Sequence, residues 1–200
     1  MTVNDPDARV AFDRKVHALE GLRIYAVDYW DIHNYGPGPA RWDYGDWHHA
    51  VMGVQLSTDA GPVTVTWTNT FYPYGVEVFA EPIERHLVLG EDGPERIGPD
   101  GESRWTGILD TPVLRATTSW ERIELGPATL ASGEVVEPAR VVEIPTALRL
   151  DFGTGPVWFG AAIPQYPSME GVFIPGDEIM IVFSAAKMRD MGYDDPRFVA

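Results

Sequence analysis

Between Tyr29 and His49 the chain crowds tryptophans, tyrosines, aspartates and histidines around a Gly36-Pro37-Gly38-Pro39 interruption. Aromatic faces stack on sugars and planar ligands, and carboxylates accept their hydrogen bonds. For that chemistry Trp42 and Trp47 are the stacking platforms, and Asp43 and Asp46 orient polar groups of the ligand. Histidine is the side chain whose ordinary pKa lies near neutral pH, which makes His33, His48 and His49 the candidate acid–base residues of a hydrolytic site. The competing expectation is a loop folded over the end of a sheet, burying its own rings.

Imidazole and carboxylate together also suit zinc, iron or manganese. The spacing opposes a metal: no His-x-His or His-x3-His pair occurs, and the adjacent His48 and His49 point to opposite faces of any strand they enter. No metal and no other cofactor is expected. Paired acids recur at Asp28/Asp31, Asp43/Asp46, Asp177/Glu178 and Asp194/Asp195, but glycoside hydrolysis needs two carboxylates set across a cleft. Asp177-Glu178, just before the apolar run Ile179 to Phe183, reads as a strand-entry turn. There is no Gly-x-Ser-x-Gly elbow, no phosphate-binding loop and no basic patch interleaved with aromatics, so nucleic acid is not an expected partner.

The elements that must position these residues follow a frame used twice. Leu56 precedes Gly61-Pro62-Val63 by five residues, and Leu150 precedes Gly155-Pro156-Val157 by the same interval. A strand-like run ending in tryptophan lies upstream of each frame, Ile24 to Trp30 and Leu114 to Trp120. A run ending in phenylalanine lies downstream, Val76 to Phe79 and Ile179 to Phe183. Val63, Val65 and Trp67 alternate with threonines, the pattern of a strand with one buried face. Ile179 to Phe183 is apolar on both faces, as a doubly covered strand should be. Ala8, Phe12, Val16 and Leu19 have helical spacing, with Gly21 as a stop, and Ser184 to Met191 reads as a second short helix.

These patterns predict a mainly β fold: two related antiparallel β-meanders packed as a sandwich or partly open barrel, with short helices near both termini. Residues 1–200 are expected to form a single domain of two pseudo-repeat halves, 20–90 and 104–191, joined by a Gly/Pro-rich linker at 90–103. The proline-rich stretch from Ile163 to Gly176 should be an irregular loop.

Net charge is −15, and both halves are acidic: residues 1–100 carry 16 acids against 7 bases, residues 101–200 carry 14 against 8. Such a field repels nucleic acid and anionic membranes and favours a basic protein partner. Cysteine is absent, which excludes disulfides and thiol nucleophiles and fits a reducing compartment. No signal peptide is readable in Met1 to Val10, and the apolar runs are too short to span a bilayer, so a cytoplasmic location is expected. Lys15 and Lys187 are the only lysines among fifteen bases, an arginine bias that resembles GC-rich bacterial coding. The function these features point to is a non-catalytic acidic binding protein, of inhibitor or immunity type. The alternative is small-molecule or carbohydrate binding, with hydrolysis, at the 29–49 loop.

Overall fold

A computed structural model describes residues 6–32, 41–88, 93–99, 101 and 103–200. Helix α1 (Pro6–His17) is followed by strands β1 (Ile24–Asp31), β2 (Trp47–Ala50), β3 (Gly53–Thr58), β4 (Gly61–Thr68), β5 (Gly75–Phe79) and β6 (Glu95–Gly98). Helix α2 (Ser103–Thr106) leads into β7 (Arg115–Leu125), the short β8 (Ala128–Thr129) and β9 (Val135–Glu137), and the long β10 (Arg140–Phe152). Next come β11 (Gly155–Ala161), the two-residue pair β12 (Ile163–Pro164) and β13 (Val172–Phe173), β14 (Ile179–Val182), and helices α3 (Ala185–Asp190) and α4 (Pro196–Val199).

Two five-stranded antiparallel sheets result, ordered β5-β4-β3-β1-β6 and β2-β14-β11-β10-β7. The four-strand run β1, β3, β4, β5 has the same order as β7, β10, β11, β14. Register agrees as well. Leu56 pairs with Val63 and Thr58 with Gly61, while Leu150 pairs with Val157 and Phe152 with Gly155. The chain therefore turns at Asp59-Ala60 and at Gly153-Thr154, and each Gly-Pro opens the returning strand. Gly61 and Gly155 sit at φ +112 and +132, where a side chain would be strained, so glycine is required at both. The prolines tolerate second place because strand starts do not need every ladder donor.

The inner faces share one core, in which Ile24, Leu56, Val65, Leu148, Leu150, Phe159 and Ile181 are at most 1 % exposed. Helix α1 closes one open side. Its Ala8, Phe12 and Val16 are buried, as is Leu19 just beyond its end, and Phe12 meets Phe71 and Trp120 edge-on at 5.4 and 5.6 Å. Trp120 lies on β7 and Phe71 in the turn between β4 and β5, so the helix stitches the free edges β5 and β7. On the other side Trp105 of α2 packs edge-on against Phe183 at 5.5 Å.

Three features differ from the sequence pattern. The threonines of β4 are not solvent-facing: Thr64 and Thr66 are buried, and their hydroxyls donate to the carbonyls of Glu81 (2.7 Å) and Met52 (2.6 Å). The segment after β5 folds back over this face, burying Ile83, whose amide donates to Gln55 Oε1 at 3.0 Å. A hydroxyl satisfied by a backbone carbonyl can be buried cheaply, so polar alternation does not prove exposure. Second, the 90–103 segment is more than a linker, since Glu95–Gly98 is the strand β6 paired with β1; residues 90–92, 100 and 102 lie outside the described set. Third, β10 begins at Arg140, well upstream of the Leu150 frame, and with β7 builds a long hairpin. The 163–176 stretch is irregular apart from the β12–β13 pair.

Candidate functional site

The described part of the aromatic stretch is a tight hairpin leading into β2. Tyr44 N–H donates to the Trp47 carbonyl at 3.0 Å and His49 N–H to the Trp42 carbonyl at 2.8 Å. Asp43 Oδ1 accepts from Gly45 N–H at 2.8 Å, and Gly45 takes φ +86. This Asx-type turn is what Asp-x-Gly favours. It swings β2 onto the edge of the second sheet, where His48 lies opposite Ile181 and His49 opposite Met180. The strand splits its two histidines between opposite faces.

His48 points into the core and is fully buried. Trp105 Nε1 donates to the Tyr29 hydroxyl, whose oxygen lies 2.8 Å from His48 Nδ1 in a second hydrogen bond. The other ring nitrogen of His48, Nε2, is buried as well. That nitrogen lies 3.7 Å from Asp43 Oδ1. Trp42 closes the cluster, edge-on to His48 at 5.0 Å and to Tyr29 at 5.7 Å.

His49 faces the opposite way. Its Nε2 is 2.8 Å from Glu178 Oε2, and both side chains are buried. The Tyr166 hydroxyl donates to the same Glu178 oxygen at a long 3.5 Å. Tyr44 stacks on Trp47 at 4.3 Å, nearly parallel. Burial is the main force raising the Tyr44 phenol above its ordinary pKa, with Arg41 opposing and the charges of Asp31 and Glu178 adding to the rise. Glu178 therefore gathers His49 and Tyr166 on one carboxylate oxygen, within electrostatic reach of Tyr44.

Trp47 is 5 % exposed and belongs to the apolar cluster that the C-terminal helices cover. A ring so enclosed offers no free face to a ligand without movement. Asp43 and Asp46 are exposed, and Asp46 lies 3.6 Å from Arg104. His33 lies outside the described residues. Among the described residues no group of three or more metal-ligating side chains converges, and no helix is long and apolar enough to cross a membrane.

Sequence spacing did not single out Glu178 as the partner of His49, 129 positions away. The available signal was spacing: Glu178 lies two positions before Met180, which pairs with His49.

The sequence also gave no special weight to the tip of the β7–β10 hairpin. All residues from 126 to 140 are exposed, the β8–β9 pair extends the arm, and its apolar Leu130, Val135 and Val136 are each at least 50 % exposed. From 121 to 143 the arm carries five glutamates against two arginines. No protein-family model matches this chain, and neither the curated proteins nor the solved structures searched contain a match.

Proposed function

We propose that this chain is a non-catalytic acidic binding protein that covers a basic partner in the cytoplasm, in the manner of an inhibitor or immunity protein. The supporting observation is the β7–β10 arm. It holds out Leu130, Val135 and Val136 among Glu124, Glu134 and Glu137. Exposed apolar side chains grouped on a projecting element and rimmed by charge are what an interaction surface uses. The acidic rim steers a basic partner, and the valines and leucine are desolvated on contact.

The test is co-purification from the native source at low salt, identification of the partner, and measurement of its association rate with rising ionic strength. The rate should fall steeply as the Debye length shortens to about 8 Å at 0.15 M. Replacing residues 127–138 by a two-residue Asn-Gly turn should abolish binding and leave the melting temperature unchanged. An acidic partner, or a salt-independent association rate, would sink the proposal.

A small-molecule function has one specific observation in its favour, the buried His49–Glu178 pair beside Tyr166 and Tyr44. It would place acid–base chemistry on the outer face of the second sheet, with His49 as the shared proton carrier. Glu178→Gln should then abolish turnover or ligand binding in a metabolite and glycan screen. A screen that gives no ligand removes this alternative.

A further inference from the structure

The end of the sandwich where both Gly-Pro hairpins turn holds a cavity of about 420 Å³ between the end of α1 and strands β4 and β5. Leu19, Leu22, Val63 and Val78 form its apolar walls, and Phe79 flanks the mouth. A small second void shares Leu19, Leu22 and Val63 with it and is lined further in by Leu56 and Leu150, the two leucines of the twin frames. The walls therefore lead from solvent toward the space between the sheets.

Cavities of about 300–1,000 Å³ with mainly apolar linings and a few polar groups are the usual shape of small-molecule sites. Dry apolar voids near 150 Å³ already take up a ligand the size of benzene. We infer that this cavity is a binding site for an uncharged apolar molecule, a medium-length acyl chain or a fused-ring aromatic with at most a hydroxyl head. This site is separate from the arm and does not rest on the basic-partner proposal.

Charge selects the class. The mouth has two charged residues, Lys15 and Glu81. Lys15 is already engaged, its Nζ 3.0 Å from the buried carboxylate of Glu77 and 5.1 Å from the Phe79 ring centre. Glu81 is 54 % exposed, with its carboxylate 3.5 Å from His86 Nε2. With His86 neutral, the Lys15–Glu77 pair cancels and Glu81 leaves the rim negative, inside a molecule of net charge −15. A carboxylate head would meet repulsion there, whereas a hydroxyl could accept from Lys15 or donate to Glu81.

The experiment uses the full chain and the neutral fluorophore N-phenyl-1-naphthylamine, displaced in parallel by decan-1-ol and by decanoate. Saturable one-to-one binding is expected, with decanol displacing about tenfold more effectively than decanoate at low salt. Ala18 and Ala80 line the mouth and are exposed, so Ala18→Phe and Ala80→Phe can plug it without touching the core. Each should weaken binding about tenfold or more with an unchanged melting temperature, since the ring occupies the ligand's space. Glu81→Lys should bring decanoate up to the level of decanol. Absence of saturable binding, plugged variants that bind normally, or decanoate binding as well as decanol to the unmodified chain would each overturn the inference.

Discussion

The outer face of the first sheet and the outer face of the second cover the same strand order in different ways. Over β4 and β5 the cover is polar. Thr64, Thr66 and Glu77 are buried there, held by carbonyls and by Lys15 from α1. Over β11 and β14 the cover is apolar. Trp158, Met180 and Val182 pack under Met188, Tyr193 and Phe198 of the C-terminal segment. Inside, the frames remain alike: Val54 pairs with Val65, and Leu148 with Phe159. The inner face is constrained by a shared core, so its residues stay apolar in both sheets. Each outer face answers to the segment that folds over it.

The sharpest way to break this comparison is at one register position with two occupants. Thr64 pairs with Gln55, and Trp158 with Arg149, at the same place in the two frames. Trp158 is 1 % exposed and its indole donates to the Phe198 carbonyl at 2.9 Å. Trp158→Ala should cost about 4–5 kcal/mol, from lost burial and a lost hydrogen bond. Thr64→Ala should cost about 1 kcal/mol, the scale of one buried hydroxyl's hydrogen bond. Urea denaturation reads both values, and equal costs would mean that the two outer faces are not differently built.

The inner leucines sharpen the other half of the comparison. Leu56→Ala and Leu150→Ala should each cost about 3–4 kcal/mol, the range of buried leucine truncations. The two values should agree within about 1 kcal/mol, because both side chains are 1 % exposed and pair with valine. A gap of several kcal/mol, measured by the same denaturation, would show that one frame dominates the core.

The His49–Glu178 pair exists on the second sheet's outer face alone, because β2 joins that sheet and not the first. His49→Leu leaves Glu178 buried without its 2.8 Å partner and should cost about 2–3 kcal/mol, a reduced form of the penalty for breaking a buried pair. The double variant His49→Leu/Glu178→Leu should recover most of that loss. A double variant no more stable than the single one would show that the pair does more than satisfy its own buried polar groups.

Much of the frame was legible because inner faces follow simple physics. Alternating apolar residues marked β4, the run Val76 to Phe79 marked β5, and the doubly apolar run marked β14 as covered on both faces. The helical face of α1 was readable from Ala8, Phe12, Val16 and Leu19. Trp67 joins the core that holds Ile181 and Phe183, but as a half-buried ring donating to the Val51 carbonyl at 2.9 Å. The polar cover was not legible, because a buried threonine and an exposed one look the same in a strand pattern. The candidate sites were less legible still. The splitting of His48 and His49 follows from strand parity, but the match of His49 to Glu178 depends on strand order, which no local spacing encodes. The arm was missed because Gly126 to Ala139 is turn-rich and reads as ordinary connection.

The gentlest test at neutral pH separates the two covers by alkali. Tyr193 belongs to the apolar cover, and its hydroxyl donates to the Thr146 carbonyl at 3.2 Å. Burial is the main cause that pushes its phenol far above the ordinary value, with the Thr146 side chain opposing and the Glu121 charge adding to the rise. The folded state therefore keeps a proton that the unfolded chain releases near pH 10. That stabilisation is complete below the unfolded pKa and is lost as pH rises toward the folded one, by up to about 1.4 kcal/mol per pH unit. Spectrophotometric titration of the eight tyrosines should show Tyr193 ionising only as the protein unfolds. Tyr193→Phe should cost about 1 kcal/mol at pH 7 through the lost hydrogen bond. The same variant should flatten the decline in stability above pH 10, so that it becomes the more stable form in strong alkali. Parallel stability curves for the two proteins from pH 7 to pH 11 would mean that the C-terminal cover opens to solvent before the rest of the fold, and that the apolar cover is the looser of the two.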